Sequence, residues 1–140
     1  MIETVVLPLS GWVFQWRDDS HWRELNQAQY NDELAGLFEA PADDWVRWTG
    51  TLYRQARFHS VFTSAGWQLL YDELPAGANA RVVLADASEP PITVLGGIWM
   101  SEWIGGHLPA TVTVGSQSWI LQQPRMIPNF HGEAAPETSS

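Results

Sequence analysis

Apolar and polar residues alternate with a period of two along most of this chain, and one segment departs from that rule. In residues 11–17, Trp12, Phe14 and Trp16 take every second position against Val13 and Gln15. An extended strand with that spacing carries all three rings on one face. A short β-branched stretch, residues 4–9, precedes it and is interrupted by Pro8. The exception is residues 21–38. Trp22, Leu25, Ala28 and Gln29, then Tyr30, Leu34, Leu37 and Phe38, recur at spacings of three and four. Asn26, Gln27, Asn31, Asp32 and Glu33 fall outside that stripe. The pattern predicts the main helix, started by Asp18-Asp19-Ser20 as turn and N-cap and stopped near Gly36 and Pro41.

Residues 42–50 fit either a second short helix, with Trp45 and Trp48 on one side, or a loop running into a strand. After position 51 the period returns to two. Residues 51–57 and 58–63 read as strands, Ser64-Ala65-Gly66 as a turn, and residues 67–73 as the returning strand of a hairpin. Pro75-Ala76-Gly77-Ala78-Asn79 is a further turn and residues 81–85 a short buried strand, broken by Ser88-Glu89-Pro90-Pro91. Residues 92–104 and 111–121 are expected to pair as a last hairpin across Gly105-Gly106-His107-Leu108-Pro109. One long helix followed by meandering strands predicts an α+β fold. We expect an antiparallel, strongly curved sheet or partly closed barrel packed on one main helix. Residues 1–130 form the single expected domain, and the polar stretch 131–140 a mobile tail.

Nine tryptophans among 140 residues sharpen this picture. A buried indole removes a large apolar area from water but must place its N–H on an acceptor. So many rings fit a core built on aromatics, the favoured reading, or a ligand surface paved with them. Charge narrows the partners. Sixteen acids face seven bases, for a net charge of −9, and every base is an arginine. Affinity for nucleic acid comes mostly from cations that displace counterions from phosphate, and no basic cluster is present. Direct contact with DNA or RNA, or with an anionic membrane, is therefore not expected. Cysteine is absent, so disulfides, thiol nucleophiles and cysteine-bound metals are excluded. The first residues lack the basic start and apolar run of a signal peptide, and no stretch has the length of a membrane span. A cytoplasmic location is expected.

Candidate chemistry is sparse. His21 and Glu24 have the spacing of a metal pair on a helix but no further ligand in sequence, and neither a metal nor a cofactor is expected. No Gly-x-Ser-x-Gly elbow is present. Gly96-Gly97 and Gly105-Gly106 lack the lysine of a phosphate loop. Glu102, between Trp99 and Trp103, is the one acid in an aromatic setting. Indole walls raise a carboxyl pKa, and with Asp72, Glu73 or Asp86 as a second carboxylate it would suit sugar hydrolysis. A structural role, accepting hydrogen bonds or pairing with an arginine, is the favoured reading. A pocket of Trp, Phe and Leu with one acid and one arginine would suit a small amphiphile.

The most specific pattern lies in residues 97–119. Met100-Ser101-Glu102-Trp103-Ile104, then Pro109-Ala110, Val114-Gly115 and Trp119, resembles the RsaM-like family of bacterial quorum-sensing modulators. The family pattern has threonine at the position of Ser101 and a tryptophan at that of Ser116. The resemblance implies a small single-domain α+β protein that restrains acyl-homoserine lactone synthesis and alters transcription of the regulon, without catalysis and without a DNA-binding motif. It implies Glu102, Trp103, Pro109, Ala110, Gly115 and Trp119 as shared residues.

Three readings follow. The first is a non-enzymatic regulator of acyl-homoserine lactone signalling, acting through an unknown protein partner or small molecule, as a monomer or homodimer. The second is a small-ligand binding module with an aromatic pocket for an acyl chain or sugar. The third and weakest is a hydrolase using Glu102. Glu102, Trp103, Trp99 and Trp119 are the candidate binding residues, and no catalytic residue is assigned.

Overall fold

A computed structural model describes residues 1–37, 44–50, 57–60 (backbone only), 66–106 and 109–122. Eleven strands and one α-helix follow in chain order: β1 Ile2–Val6, β2 Val13–Arg17, β3 His21–Leu25, α1 Gln27–Leu34, β4 Val46–Arg47, β5 Arg57–Ser60, β6 Trp67–Glu73, β7 Ala80–Val83, β8 Thr93–Leu95, β9 Ile98–Ile104, β10 Ala110–Val114 and β11 Gln117–Leu121. They form three antiparallel sheets, ordered β1-β2-β3-β4, β5-β6-β9-β8 and β11-β10-β7. None closes on itself among the described residues. The α+β class holds in its broad form, with sheet dominant.

Strand alternation explains how the sheets stack. In the β6–β9 pair, Leu69 faces Glu102, Tyr71 faces Met100 and Glu73 faces Ile98. Their common side packs against Phe14 and Trp22 of the β1–β4 sheet and Leu7 just after β1, with Trp12, Trp16 and Trp48 at its margin. The intervening positions Gln68–Trp103, Leu70–Ser101 and Asp72–Trp99 are also opposed pairs and take the other side. There Leu70, Trp99 and Trp103 pack on Val82, Ala110, Val112 and Val114 of the β7-β10-β11 sheet. The β5-β6-β9-β8 sheet is thus the middle layer, and its strands β6 and β9 are largely buried on both faces.

The helical expectation for residues 21–38 is corrected. Residues 21–25 are strand, paired with β2 as Val13–Leu25, Phe14–Glu24, Gln15–Arg23 and Trp16–Trp22. Asp18-Asp19-Ser20 is a hairpin turn, closed by Ser20 N–H on the Arg17 carbonyl with Ser20 at φ 64°. The helix starts later, capped by Asn26. Its side chain accepts from the Gln29 N–H at 2.8 Å, and the Gln29 side chain accepts from the Asn26 N–H at 3.2 Å. No residue of α1 is buried. Among the described residues, α1 is therefore not a main helix on which the sheets pack. Trp22 and Leu25, read as helical neighbours, are instead buried strand residues on opposite faces.

The expected final hairpin is also corrected. Glycine turns split each of its arms. Gly96, at φ 56°, separates β8 from β9, and Gly115, at φ 61°, separates β10 from β11. Each opens a two-residue hairpin loop, where glycine fits a first position at positive φ. As a result β9 lies in the middle sheet and β10 in another. Residues 44–50 follow the loop-into-strand alternative, through β4. The expected strand over 51–57 up to its last residue, the end of the one over 58–63, the start of the turn at 64–66 and the tail 131–140 lie outside the described residues.

Candidate functional site

β9 carries most of the candidate residues, and its pleat sorts them. Trp99 and Trp103 are fully or nearly buried between the middle and β7-β10-β11 sheets. Glu102 projects to the opposite face. Its Oε2 accepts from the Leu9 N–H at 2.6 Å and its Oε1 from the Ser10 N–H at 3.0 Å. The carboxylate thus pins the β1–β2 loop to the middle sheet. Sequence placed it between indole walls; the structure turns those walls away from it. Trp119, on β11, stands opposite Val112 and packs at the edge of the same buried layer as Trp99 and Trp103.

The acids considered as partners for Glu102 are not beside it. Asp72 takes the other face of β6. Glu73 shares the face of Glu102, but the register separates them by four residues, roughly 13 Å along the sheet. Glycosidase carboxylates stand about 5–10 Å apart. Glu73 is fully buried and accepts four hydrogen bonds: from Trp22 Nε1 at 2.9 Å, Thr49 N at 3.0 Å, Thr49 Oγ1 at 3.0 Å and Gly50 N at 3.2 Å. Asp86 accepts from Ser88 in the turn after β7. Glu24 accepts from Trp12 Nε1 at 3.0 Å and from the Tyr71 hydroxyl. These acids hold loops and indoles in place.

His21 sits on a strand rather than a helix, so Glu24 three residues later points to the other face. No group of three potential metal ligands occurs among the described residues, and none of their helices is long and apolar enough to cross a membrane. None of the nine tryptophans is exposed. Among the described residues, Arg17 pairs with Asp19, Arg23 with Glu33 and Arg81 with Glu89.

Polar groups are satisfied unequally on the two faces of the middle sheet. Toward β1–β4, the indole N–H groups of Trp12, Trp22 and Trp48 all donate, the last to the Gly97 carbonyl at 2.8 Å. Toward β7-β10-β11, the Nε1 atoms of Trp99, Trp103 and Trp119 are buried without a hydrogen-bond partner, as are Gln68 Oε1 and Ser101 Oγ. Leaving a buried donor or acceptor unpaired costs about 1–3 kcal/mol each. Sequence reasoning singled out the three tryptophans but not Gln68 or Ser101. The signal for them was available: polar residues on either side of Leu70 and between two tryptophans, at alternating positions of buried strands.

Comparison with family models, with curated proteins and with solved structures finds no match.

Proposed function

We propose that the protein is a non-enzymatic regulator of acyl-homoserine lactone quorum sensing, restraining signal synthesis and altering transcription of the regulon through a bound partner or small molecule. It would act in the cytoplasm and without direct contact to DNA. The observation that carries the reading is the pattern in residues 97–119, whose Trp103, Ala110 and Trp119 meet in one buried layer. The acid in that pattern is engaged by two backbone N–H groups, which favours anchoring over proton transfer. Deleting the gene in its native host tests the reading: lactone levels should rise and regulon transcripts should change. Unaltered lactone levels and transcripts would remove it.

A second reading, a small-ligand binding module, draws support from the three buried indole N–H groups that lack acceptors. Titration of tryptophan fluorescence tests it. A saturable change, lost in a folded Trp103→Ala variant, supports a bound ligand.

A further inference from the structure

β1 is an edge strand, paired with β2 on one side only. Its register and the bonds near its two ends fix which way each backbone group points. Opposed residues of an antiparallel pair alternate between exchanging hydrogen bonds and not doing so. Asp18 N–H donates to the Met1 carbonyl at 3.3 Å, and Leu7 N–H to the Trp12 carbonyl at 2.9 Å. Met1, Glu3, Val5 and Leu7 therefore direct their backbone groups at β2. Ile2, Thr4 and Val6 direct theirs away from the sheet, and no described backbone group bonds to them. All three residues are exposed. β4 and β8, edges of two and three residues, are blunted by their length. β1 has five residues and contains neither lysine nor proline.

We propose that two copies of this chain pair through β1, antiparallel about a two-fold axis at Thr4. In that register Ile2 meets the second copy's Val6, and Thr4 meets the second copy's Thr4. Each outward N–H and C=O group then finds its complement, about six bonds in three pairs. Sliding the strands by two residues in one direction sets Glu3 against Glu3, a like-charge pair. Sliding them the other way sets Ile2 against Pro8, which has no N–H to give. The register centred on Thr4 avoids both. Glu3 then faces Val5, and the two Glu3 side chains meet only on the diagonal, about 7–8 Å apart. The side chains agree with the backbone. Val5 packs toward the middle sheet, so Ile2 and Val6 take the opposite face. They are 49% and 43% exposed, and the pairing covers each with the other. Two five-residue strands cover less than the roughly 1,200–2,000 Å² of stable complexes, so the dimer is weak, with a Kd on the order of 100 µM. Each copy has a net charge of −9, so association tightens as salt screens the repulsion.

Sedimentation equilibrium of the full chain, from about 10 µM to 1 mM, tests the proposal through a charge swap at the axis. We expect a reversible dimer that tightens severalfold as salt rises from about 50 to 500 mM. Thr4→Lys and Thr4→Glu each place like charges directly opposite, and each alone should weaken the dimer about tenfold or more. An equimolar mixture of the two should restore association, because only a two-fold axis at residue 4 brings the new lysine and glutamate together. Circular dichroism confirms that the variants fold. Val6→Lys, which removes the apolar contact with Ile2, takes their place if they do not, and should also weaken the dimer. A chain that stays monomeric throughout overturns the proposal and leaves this edge to a strand of another protein. A dimer indifferent to the residue 4 and residue 6 variants overturns its location. Weakening by both charges without rescue in the mixture overturns the two-fold register, and association that loosens with salt overturns the backbone and apolar basis.

Discussion

The Trp22 indole donates to the Glu73 carboxylate at 2.9 Å, and both side chains are fully buried. This bond joins the β1–β4 sheet to the middle sheet. The other oxygen of Glu73 accepts from Thr49 and Gly50, so the same residue also fixes the chain just after β4. One carboxylate therefore fastens three segments. Glu73→Gln keeps the shape but replaces an acceptor oxygen by a donor NH₂ group facing other donors. It should cost about 2–4 kcal/mol, and Trp22→Phe a similar amount through its vacated volume and the acceptor left short of a donor. Urea unfolding followed by circular dichroism gives both values. A cost below about 0.5 kcal/mol for Glu73→Gln would show that the hydrogen bonds are not what holds the layers together.

Gly96 tests close packing at a turn. It combines a φ of 56° with a position where an added Cβ would enter the Trp16 ring. Gly77 has a similar φ of 79° but nothing within 4 Å of its added Cβ. Gly77→Ala should therefore cost only the backbone term, about 1 kcal/mol. Gly96→Ala should cost that amount plus displacement of an indole, about 2–4 kcal/mol together. The two thermal midpoints, compared at equal conditions, separate backbone strain from packing.

These residues also explain how far sequence could be read. Alternation at Phe14 and Trp16 marks β2, and the run Trp67–Glu73 between turn residues marks β6, although β6 is buried on both faces. Residues 21–25 were misread because Trp22 and Leu25, three apart, satisfy a helix stripe as well as a strand buried on both faces. The deciding partner, β2, lies just across Asp18-Asp19-Ser20, a hairpin turn whose composition equally suits a helix N-cap. The Asn26 and Gln29 capping box was the local mark of the true helix start. Gly96 lies inside an apolar run that hides its turn, whereas Gly115-Ser116 is a turn signal legible in the sequence. Glu102 stood out by its neighbours in sequence, yet a strand sends neighbours to opposite faces. Its real partners, Leu9 and Ser10, are more than ninety residues away.

Glu102 gives a direct test of anchoring. Glu102→Gln retains one acceptor oxygen and loses the charge that strengthens both bonds. The folded state should persist with about 1–2 kcal/mol less stability. Amide hydrogen exchange at Leu9 and Ser10 should speed up, while exchange within β6 and β9 changes only as far as global stability does. Unchanged protection at Leu9 and Ser10 would contradict the anchoring role.

Arg81 and Glu89 form a two-bond pair at 2.9 and 2.8 Å on an exposed surface. The Arg81 guanidinium, chiefly through its hydrogen bonds, holds the Glu89 carboxyl below the usual glutamate value. A carboxyl whose folded-state pKa is depressed adds stability that is full above its unfolded pKa. The contribution fades as pH falls through that value and is gone below the folded pKa. Arg81→Gln should return the Glu89 titration, followed by side-chain NMR, upward toward the ordinary range. Because both groups are exposed and screened, the acid limb of the stability profile should barely change.

The most informative stability experiment concerns Arg23. Its guanidinium donates to Gln15 Oε1 at 2.7 Å, forks onto both oxygens of Glu33 in α1, and lies over the Trp45 ring at 4.8 Å from the centroid. The side chains of the pair are only 7% and 16% exposed. α1 buries none of its residues, so this ion pair is a main tie between helix and sheet. Arg23→Lys keeps the charge but loses the fork and the planar stack, and should cost about 1–3 kcal/mol. Arg23→Met alone leaves Glu33 partly buried without its cation and should cost about 3–5 kcal/mol. Adding Glu33→Met should recover much of that loss, since a packed apolar pair often equals a buried ion pair. A double-mutant cycle isolates the coupling. A strong coupling with a destabilised double variant would mean that the ion pair specifies where α1 docks; additive effects would mean that Trp45 and Gln15 hold Arg23 without the helix.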